Sequence, residues 1–211
     1  MMEVAVITTQ DKFQSELSDV VQLFQKGLMT LHLRKTKFST SKLEEYIDSI
    51  PKQFHNRIII HSHHRLALKY KLKGIHISKN HRKKSVQLFF KLFYYRMRRP
   101  GIIITRTFHS IDSLVDNRMK YSYVFINPVF SKIQPLKNSF DVNEEFFCKL
   151  IKNNRCPVYG SGNITDENVQ LLHRYPFAGV VLSKVIWDAE KKSEKYQRLA
   201  EEFSGEKKVK G

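Results

Sequence analysis

Eight short runs of β-favouring residues recur along the 211-residue chain, separated by stretches with helical spacing or by polar turn residues. The runs are Val4–Thr9, Met29–Arg34, Arg57–Ser62, Gly74–Ser78, Gly101–Phe108, Tyr123–Phe130, Pro157–Gly162 and Gly179–Ile186. Most are apolar without alternation, as in Ile58-Ile59-Ile60 and Ile102-Ile103-Ile104. A strand reads this way when both of its faces are covered, as in a parallel sheet flanked by helices. The intervening segments supply helical patterns. Phe13, Leu17, Val20, Val21 and Phe24 form one apolar stripe at i, i+4, i+7, i+8 and i+11. Val169, Leu171, Leu172 and Tyr175 form a shorter stripe, preceded by Thr165-Asp166-Glu167 as a cap and acidic first turn. This alternation predicts one α/β domain, a closed (β/α)8 TIM barrel, with a doubly wound open sheet as the alternative. The barrel is expected over residues 1–203, followed by a basic flexible tail over 204–211.

The charge balance narrows the choice of ligands. There are 37 Lys and Arg against 20 Asp and Glu, a net +17, which draws anions toward the surface. The most basic stretch, Lys79–Arg99, interleaves His81-Arg82-Lys83-Lys84, Arg96, Arg98 and Arg99 with Phe89, Phe90, Phe93, Tyr94 and Tyr95. Such interleaving can suit phosphate contact and base stacking. The simpler reading is an amphipathic outer helix with a solvated basic face, and nucleic acid is not the expected partner. Cys148 and Cys156 have neither disulfide nor metal spacing and read as reduced thiols. The N-terminal Met1-Met2-Glu3-Val4-Ala5-Val6 lacks the basic region of a signal peptide. No apolar run approaches the ~20 residues of a membrane span. A cytoplasmic protein is expected.

In a parallel barrel, chemistry gathers where the strands end. Arg34, His61, Ser62, Ser78, Thr107, His109, Asn127, Gly162, Asn163 and Ser183 sit at those ends, polar residues on apolar strands. Tyr159-Gly160-Ser161-Gly162-Asn163-Ile164 ends a strand in glycines and is expected to open a helix. Glycines let an anion approach the backbone, and a helix start offers free N–H groups. Gly162, Asn163 and Ser183 are therefore the expected phosphate-binding residues; the alternative is that the glycines serve only a tight turn. His61, His63, His64 and His81 could meet at one rim with transition-metal donors. His63 and His64 read equally as the solvent-facing start of a helix, and no metal ligand is assigned. His76 reads as a packed structural histidine. His109 is a candidate general acid or base, or a pocket-lining group.

Taken in order, six segments resemble the thiamine phosphate synthase / TenI family over nearly the whole chain. Leu31-His32-Leu33-Arg34-Lys35 resembles its second-strand motif with Gln, Arg and Lys. His61-Ser62, Ala67-Leu68 and Gly74-Ile75-His76-Ile77 resemble its Asn-Asp, Ala-Leu and Gly-Val-His-Leu-Gly stretch. Thr105–Ser110 resembles its Gly-Val-Ser-x-His, and Tyr123–Phe130 its Asp-Tyr-Val-x-x-Gly-Pro-Val-Phe. Tyr159–Ile164 resembles its Gly-Ile-Gly-Gly-Ile, and Gly179–Ile186 its closing Gly-Val-Ala-Val-Ser-Ala-Ile. The resemblance implies coupling of a hydroxymethylpyrimidine pyrophosphate to a thiazole phosphate with release of pyrophosphate, and these two phosphorylated small molecules as partners. It implies Arg34, Lys35, His61, Thr107 and His109 as catalytic residues and Mg2+ as cofactor. The magnesium carboxylates are missing, because His61-Ser62 replaces Asn-Asp and the stretch from Ser78 to Lys84 is basic. Lys132-Ile133-Gln134-Pro135 stands in place of Thr-x-Thr-Lys after the sixth strand, with Lys137 nearby. Two alternatives remain: a TenI-like thiazole tautomerase, whose histidine is replaced by Asn127-Pro128, and a non-catalytic barrel that binds a phosphorylated ligand. A homodimer is compatible with either.

Overall fold

The computed structural model describes residues 2–10, 16–77, 85–130 and 144–205. Its strands are β1 (Glu3–Ile7), β2 (Leu31–Leu33), β3 (Ile58–Ile60), β4 (Gly74–Ile77), β5 (Ile103–Phe108), β6 (Tyr123–Ile126), β7 (Val158–Ser161) and β8 (Gly179–Leu182). Each pairs in parallel with the next, and β8 returns to β1 through Glu3↔Gly179 to Val6↔Leu182. The sheet closes, which excludes the open doubly wound alternative. Each observed strand falls inside its expected run except at Glu3, and most are shorter. Met29, for example, is an exposed residue ahead of β2.

Closure explains the missing alternation. Leu31, Leu33, Ile58, Ile60, Ile75, Ile77, Val180 and Leu182 face outward into the layer shared with the helices. Ala5, Ile59, Tyr123, Phe125, Tyr159 and Val181 face inward and fill the barrel. Both sets are buried, so strand composition shows no period of two even though side-chain direction keeps it. Fully burying each such side chain contributes roughly 1.5–3 kcal/mol. Gly74 is required by the close approach of β4 to β5, since a Cβ there would run into the Ile103 carbonyl.

The outer layer comprises α1 (Glu16–Gln25), α2 (Thr40–Asp48), α3 (Leu66–Lys69), α4 (Ser85–Arg98), α5 (Ile111–Val115), α6 (Glu144–Lys152), α7 (Lys184–Trp187) and α8 (Lys192–Ser204). α1 buries Val20 and Phe24 of its expected stripe and also Leu23; Phe13 lies outside the described residues. α8 packs beneath β1, where the Met2 N–H donates to the Phe203 carbonyl at 3.0 Å. Most of the expected tail lies outside the described residues.

Two expectations are corrected. The stripe after β7 forms a 3-10 helix, Val169–Arg174, instead of an α-helix opening at Ile164. Asn168 holds the preceding turn, accepting from the Thr165 N–H at 2.9 Å and donating to the Asn163 carbonyl at 2.8 Å. Pro176 then stops the chain from continuing in a helix. The second correction concerns α4, which is an outer helix as expected and buries Leu88, Leu92 and Tyr95. Its outward face is aromatic more than basic, with Val86, Phe89, Phe90, Phe93, Tyr94 and Met97 exposed. The basic Lys79–Lys84 lies outside the described residues. Cys156 is buried, Cys148 half-buried, and neither is paired. Among the described residues no helix is long and apolar enough to cross a membrane.

Candidate active site at the barrel mouth

Inward direction is inherited along each strand in steps of two. From Ile59 it passes to His61, from Tyr123 and Phe125 to Asn127, and from Tyr159 to Ser161. These residues meet at the C-terminal end of the barrel around a cavity of about 340 Å3, lined also by Gln10, Arg34, Thr36, His76, Thr107 and His109. Five of the expected site residues or strand ends, Arg34, His61, Thr107, His109 and Asn127, are thus brought together. No carboxylate lines this cavity among the described residues.

Arg34 is positioned by its own N–H, which donates to Thr8 Oγ1 at 2.9 Å and ties the end of β2 to the end of β1. Its side chain is exposed at the mouth. His109 Nδ1 lies 2.9 Å from the Asn127 carbonyl. A carbonyl only accepts, so Nδ1 carries the proton and Nε2 is left as an acceptor. The Asn127 amide donates to Ser161 Oγ at 3.2 Å, linking β6 to β7.

The floor of the cavity is a histidine cluster that sequence reasoning did not assemble. His32 Nδ1 lies 3.1 Å from His61 Nε2, and His32 Nε2 lies 2.8 Å from the Tyr123 hydroxyl. His61 and His76 stack with ring centres 4.1 Å apart. His76 is held between Thr105 Oγ1 at 2.8 Å and Thr107 Oγ1 at 3.0 Å. All three rings are buried. Burial, aided by the positive Lys73, pushes His32 down to about 3. Burial and then the neighbouring His76, His32 and Arg34 hold His61 well below the ordinary histidine range. His32 and His61 are therefore neutral at physiological pH. The strand-end signal identified His61 alone. The missing signal was parity: His32, Arg34, His61 and His76 all fall on the inward phase of β2 to β4.

Parity also corrects Lys35. It follows the inward Arg34, so it points outward, is wholly buried, and forms an ion pair with Glu16 at 2.8 Å. Tyr46 donates to the same carboxylate at 2.6 Å. Lys35 does not line the cavity and is a structural tie between β2 and α1. The expected histidine rim does not form either. His63 turns to Thr40 and the Phe38 carbonyl, while His64 is buried against the His76 carbonyl and Lys91. His81 lies outside the described residues.

Gly162, Asn163 and Ser183 do not line the central cavity. Gly162 (φ +86°) and Asn163 (φ +57°) are both left-handed, and a Cβ on Gly162 would strike the Asn127 amide. Glycine is needed there for the chain path. No helix starts at this turn. Ser183 occupies the N-cap position of the four-residue α7, and its side chain makes no capping bond. A smaller hollow of about 230 Å3 between the loops after β7 and β8 carries Asp166, Glu167 and Asp188 beside Lys184, and Gly162, Asn163 and Ser183 are not among its lining residues.

The family model described as thiamine monophosphate synthase matches residues 4–186. The chain belongs to this family. Its fold is similar to a thiamine phosphate pyrophosphorylase from Bacteroides thetaiotaomicron, with a TM-score of 0.76 and 22% identity over 98% of this chain and 100% of that one. It is also similar to a thiamine phosphate pyrophosphorylase from Pyrococcus furiosus, with a TM-score of 0.71 and 16% identity over 95% and 96%. A comparison with curated proteins yields no match. For this member of the thiamine monophosphate synthase family, the donors of the mouth do not suit the magnesium its resemblance implied. Mg2+ takes hard oxygen ligands, chiefly carboxylates. The described lining offers imidazoles, hydroxyls, amides and a guanidinium.

Proposed function

We propose that this thiamine monophosphate synthase family member joins a hydroxymethylpyrimidine pyrophosphate to a thiazole phosphate at the barrel mouth. In that reaction the bond between the pyrimidine methylene and the pyrophosphate oxygen breaks, and pyrophosphate leaves with the electron pair. The lone pair of the thiazole nitrogen then forms the new C–N bond. The observation that carries the reading is the cup of Arg34, Thr107, His109 and Asn127, without a carboxylate among its described residues, at the strand ends of a family barrel. Arg34 supplies a fixed positive charge where the leaving group gathers negative charge, which is the principal electrostatic demand of the reaction. Thr107 can donate its hydroxyl to a phosphoryl oxygen, and His109 Nε2 can accept a proton from a substrate hydroxyl or a protonated phosphate.

The thiazole phosphate is assigned to Gly162, Asn163 and Ser183, where two consecutive residues have left-handed backbone and the Ser183 side chain makes no capping bond. Gly162→Val cannot test this assignment, because φ and the Asn127 contact penalise any side chain there. Ser183→Ala can: loss of one hydrogen bond to a charged oxygen should weaken thiazole phosphate binding about tenfold. The reaction itself is tested by incubating the protein with both substrates, with and without added Mg2+, and measuring thiamine phosphate and pyrophosphate. Equimolar formation of the two supports the proposal. Binding of both substrates without any product would leave a phosphate-binding barrel and refute it.

A further inference from the structure

We propose that His32, His61 and His76 form a binding site for one divalent transition metal ion of the zinc class in the floor of the mouth cavity. One ring nitrogen from each histidine falls within 4.8 Å of the other two. His32 Nδ1 and His61 Nε2 are already 3.1 Å apart. Two nitrogens bound tetrahedrally to zinc at about 2.0–2.1 Å would stand about 3.4 Å apart, so this pair is already near ligating separation and the His76 ring has to close on it. Register across β2, β3 and β4 supplies all three rings, and a rigid barrel wall holds them.

The surrounding hydrogen bonds favour ligation. A metal-bound histidine is generally oriented through its other nitrogen. His32 Nε2 meets the Tyr123 hydroxyl at 2.8 Å and His76 Nδ1 meets Thr105 Oγ1 at 2.8 Å. With protons on those nitrogens, His32 Nδ1 presents a lone pair to the cluster, and His76 Nε2, 3.0 Å from Thr107 Oγ1, exchanges that hydroxyl for the metal. The short His32–His61 contact needs one proton between its nitrogens, on His61 Nε2. The metal replaces that proton, which moves to Nδ1 of the same ring by exchange with water at the mouth. The ring stays neutral and no net charge is released.

His61 and His76 also line the cavity, so a fourth coordination position opens toward substrate. Three protein ligands and one open position is the pattern of catalytic zinc. Imidazole donors select zinc, copper, iron or nickel over magnesium. Arg34 lines the same cavity as His61 and His76, so its positive charge opposes a bare cation and favours one joined by an anion. Pyrophosphate at the open position should therefore tighten metal binding, and by linkage the metal should tighten pyrophosphate by the same factor. This last point rests on the proposed reaction; the site itself does not.

The probe is Zn2+ titrated by calorimetry into chelator-treated full-length protein, with Co2+ as a visible-absorbance reporter and no substrate present. One equivalent should bind, and cobalt should give the intense spectrum of tetrahedral coordination. His61→Asn and His32→Gln, each checked for folding by circular dichroism, should each weaken binding at least about 100-fold, and Tyr123→Phe about tenfold. Zinc affinity unchanged in folded His61→Asn would place the ion on surface histidines and overturn the proposal. Should the variants unfold, X-ray absorption of zinc-loaded parent protein decides instead. Three imidazoles support the site, and one or none refutes it. Failure of the coupling assay alongside a three-imidazole site would refute the reaction and leave the metal site standing.

Discussion

Two buried polar clusters flank strand β2, and they solve the same physical problem in opposite ways. Outside the barrel wall, Lys35, Glu16 and Tyr46 bury charge and compensate it with an opposite charge and a hydroxyl. Inside, His32, His61 and His76 are buried, and burial keeps His32 and His61 neutral. An ion pair sealed between strand and helix can only hold the fold together. A set of rings at the bottom of an open cup holds its nitrogens in exchangeable hydrogen bonds that a ligand can replace. The comparison shows that neighbouring residues in one motif, here Arg34 and Lys35, can belong to different machines.

The largest test falls on the outer cluster. Lys35→Met strands the Glu16 carboxylate, and uncompensated buried charge of this kind costs about 3–5 kcal/mol. Urea denaturation should show that loss, and Glu16→Gln combined with Lys35→Met should recover most of it. A loss in the single variant no greater than that of a surface change would mean the pair is not the tie described.

Next comes acid. His32 titrates at about 3 when folded and near 6.5 when unfolded, so the unfolded chain binds the proton first. Its contribution to stability is complete above pH 6.5 and declines as pH falls toward 3. The groups facing it are His61 and His76 from β3 and β4 and Tyr123 and Phe125 from β6, with the positive Lys73 nearby. Between pH 7 and pH 5, metal-free protein should lose about 2 kcal/mol through His32, with His61 acting in the same direction. His32→Gln should flatten that slope. A parent profile without slope would show that the inner cluster is not kept neutral by burial.

Removing the hydroxyl beside His32 is a finer probe. Tyr123→Phe leaves a buried ring nitrogen without its partner and should cost about 1–2 kcal/mol in the metal-free protein. The smallest effect on stability is expected at Arg34, whose side chain is exposed. Arg34→Ala should change unfolding free energy by no more than about 0.5 kcal/mol while greatly weakening pyrophosphate binding. If Arg34→Ala destabilised the protein as much as Lys35→Met, the division between the two sides of β2 would fail.

The barrel was legible because its strands are written in a way that requires cover on both faces. Ile58-Ile59-Ile60 announces a doubly buried strand wherever it falls. The site was legible only in part, for a reason tied to the same burial. With both faces apolar, composition hides which residues point inward, so Lys35 was grouped with Arg34. Only the period of two separates them. His76 was visible as a packed histidine and His32 as a substituted glutamine. Their meeting with His61 depends on stagger between three strands, which no local pattern encodes. The turn after β7 was misread because its apolar stripe is short and Pro176 cuts it off. Glycine at 162 is explained by left-handed backbone and the Asn127 contact, so its presence alone carries no news of an anion.

Tyr123 stacks on Tyr159 with ring centres 4.3 Å apart, and Tyr159 reaches Glu3 at the far end of β1. These rings, with Phe125, plug the barrel below the histidines. The mouth is consequently both entrance and exit. Two reactants sharing a blind-ended vessel must queue: whichever seats deeper has to arrive first, and its remnant departs last. For the proposed coupling, the aromatic plug therefore imposes a kinetic order, and the product that leaves second should compete with the substrate that enters first.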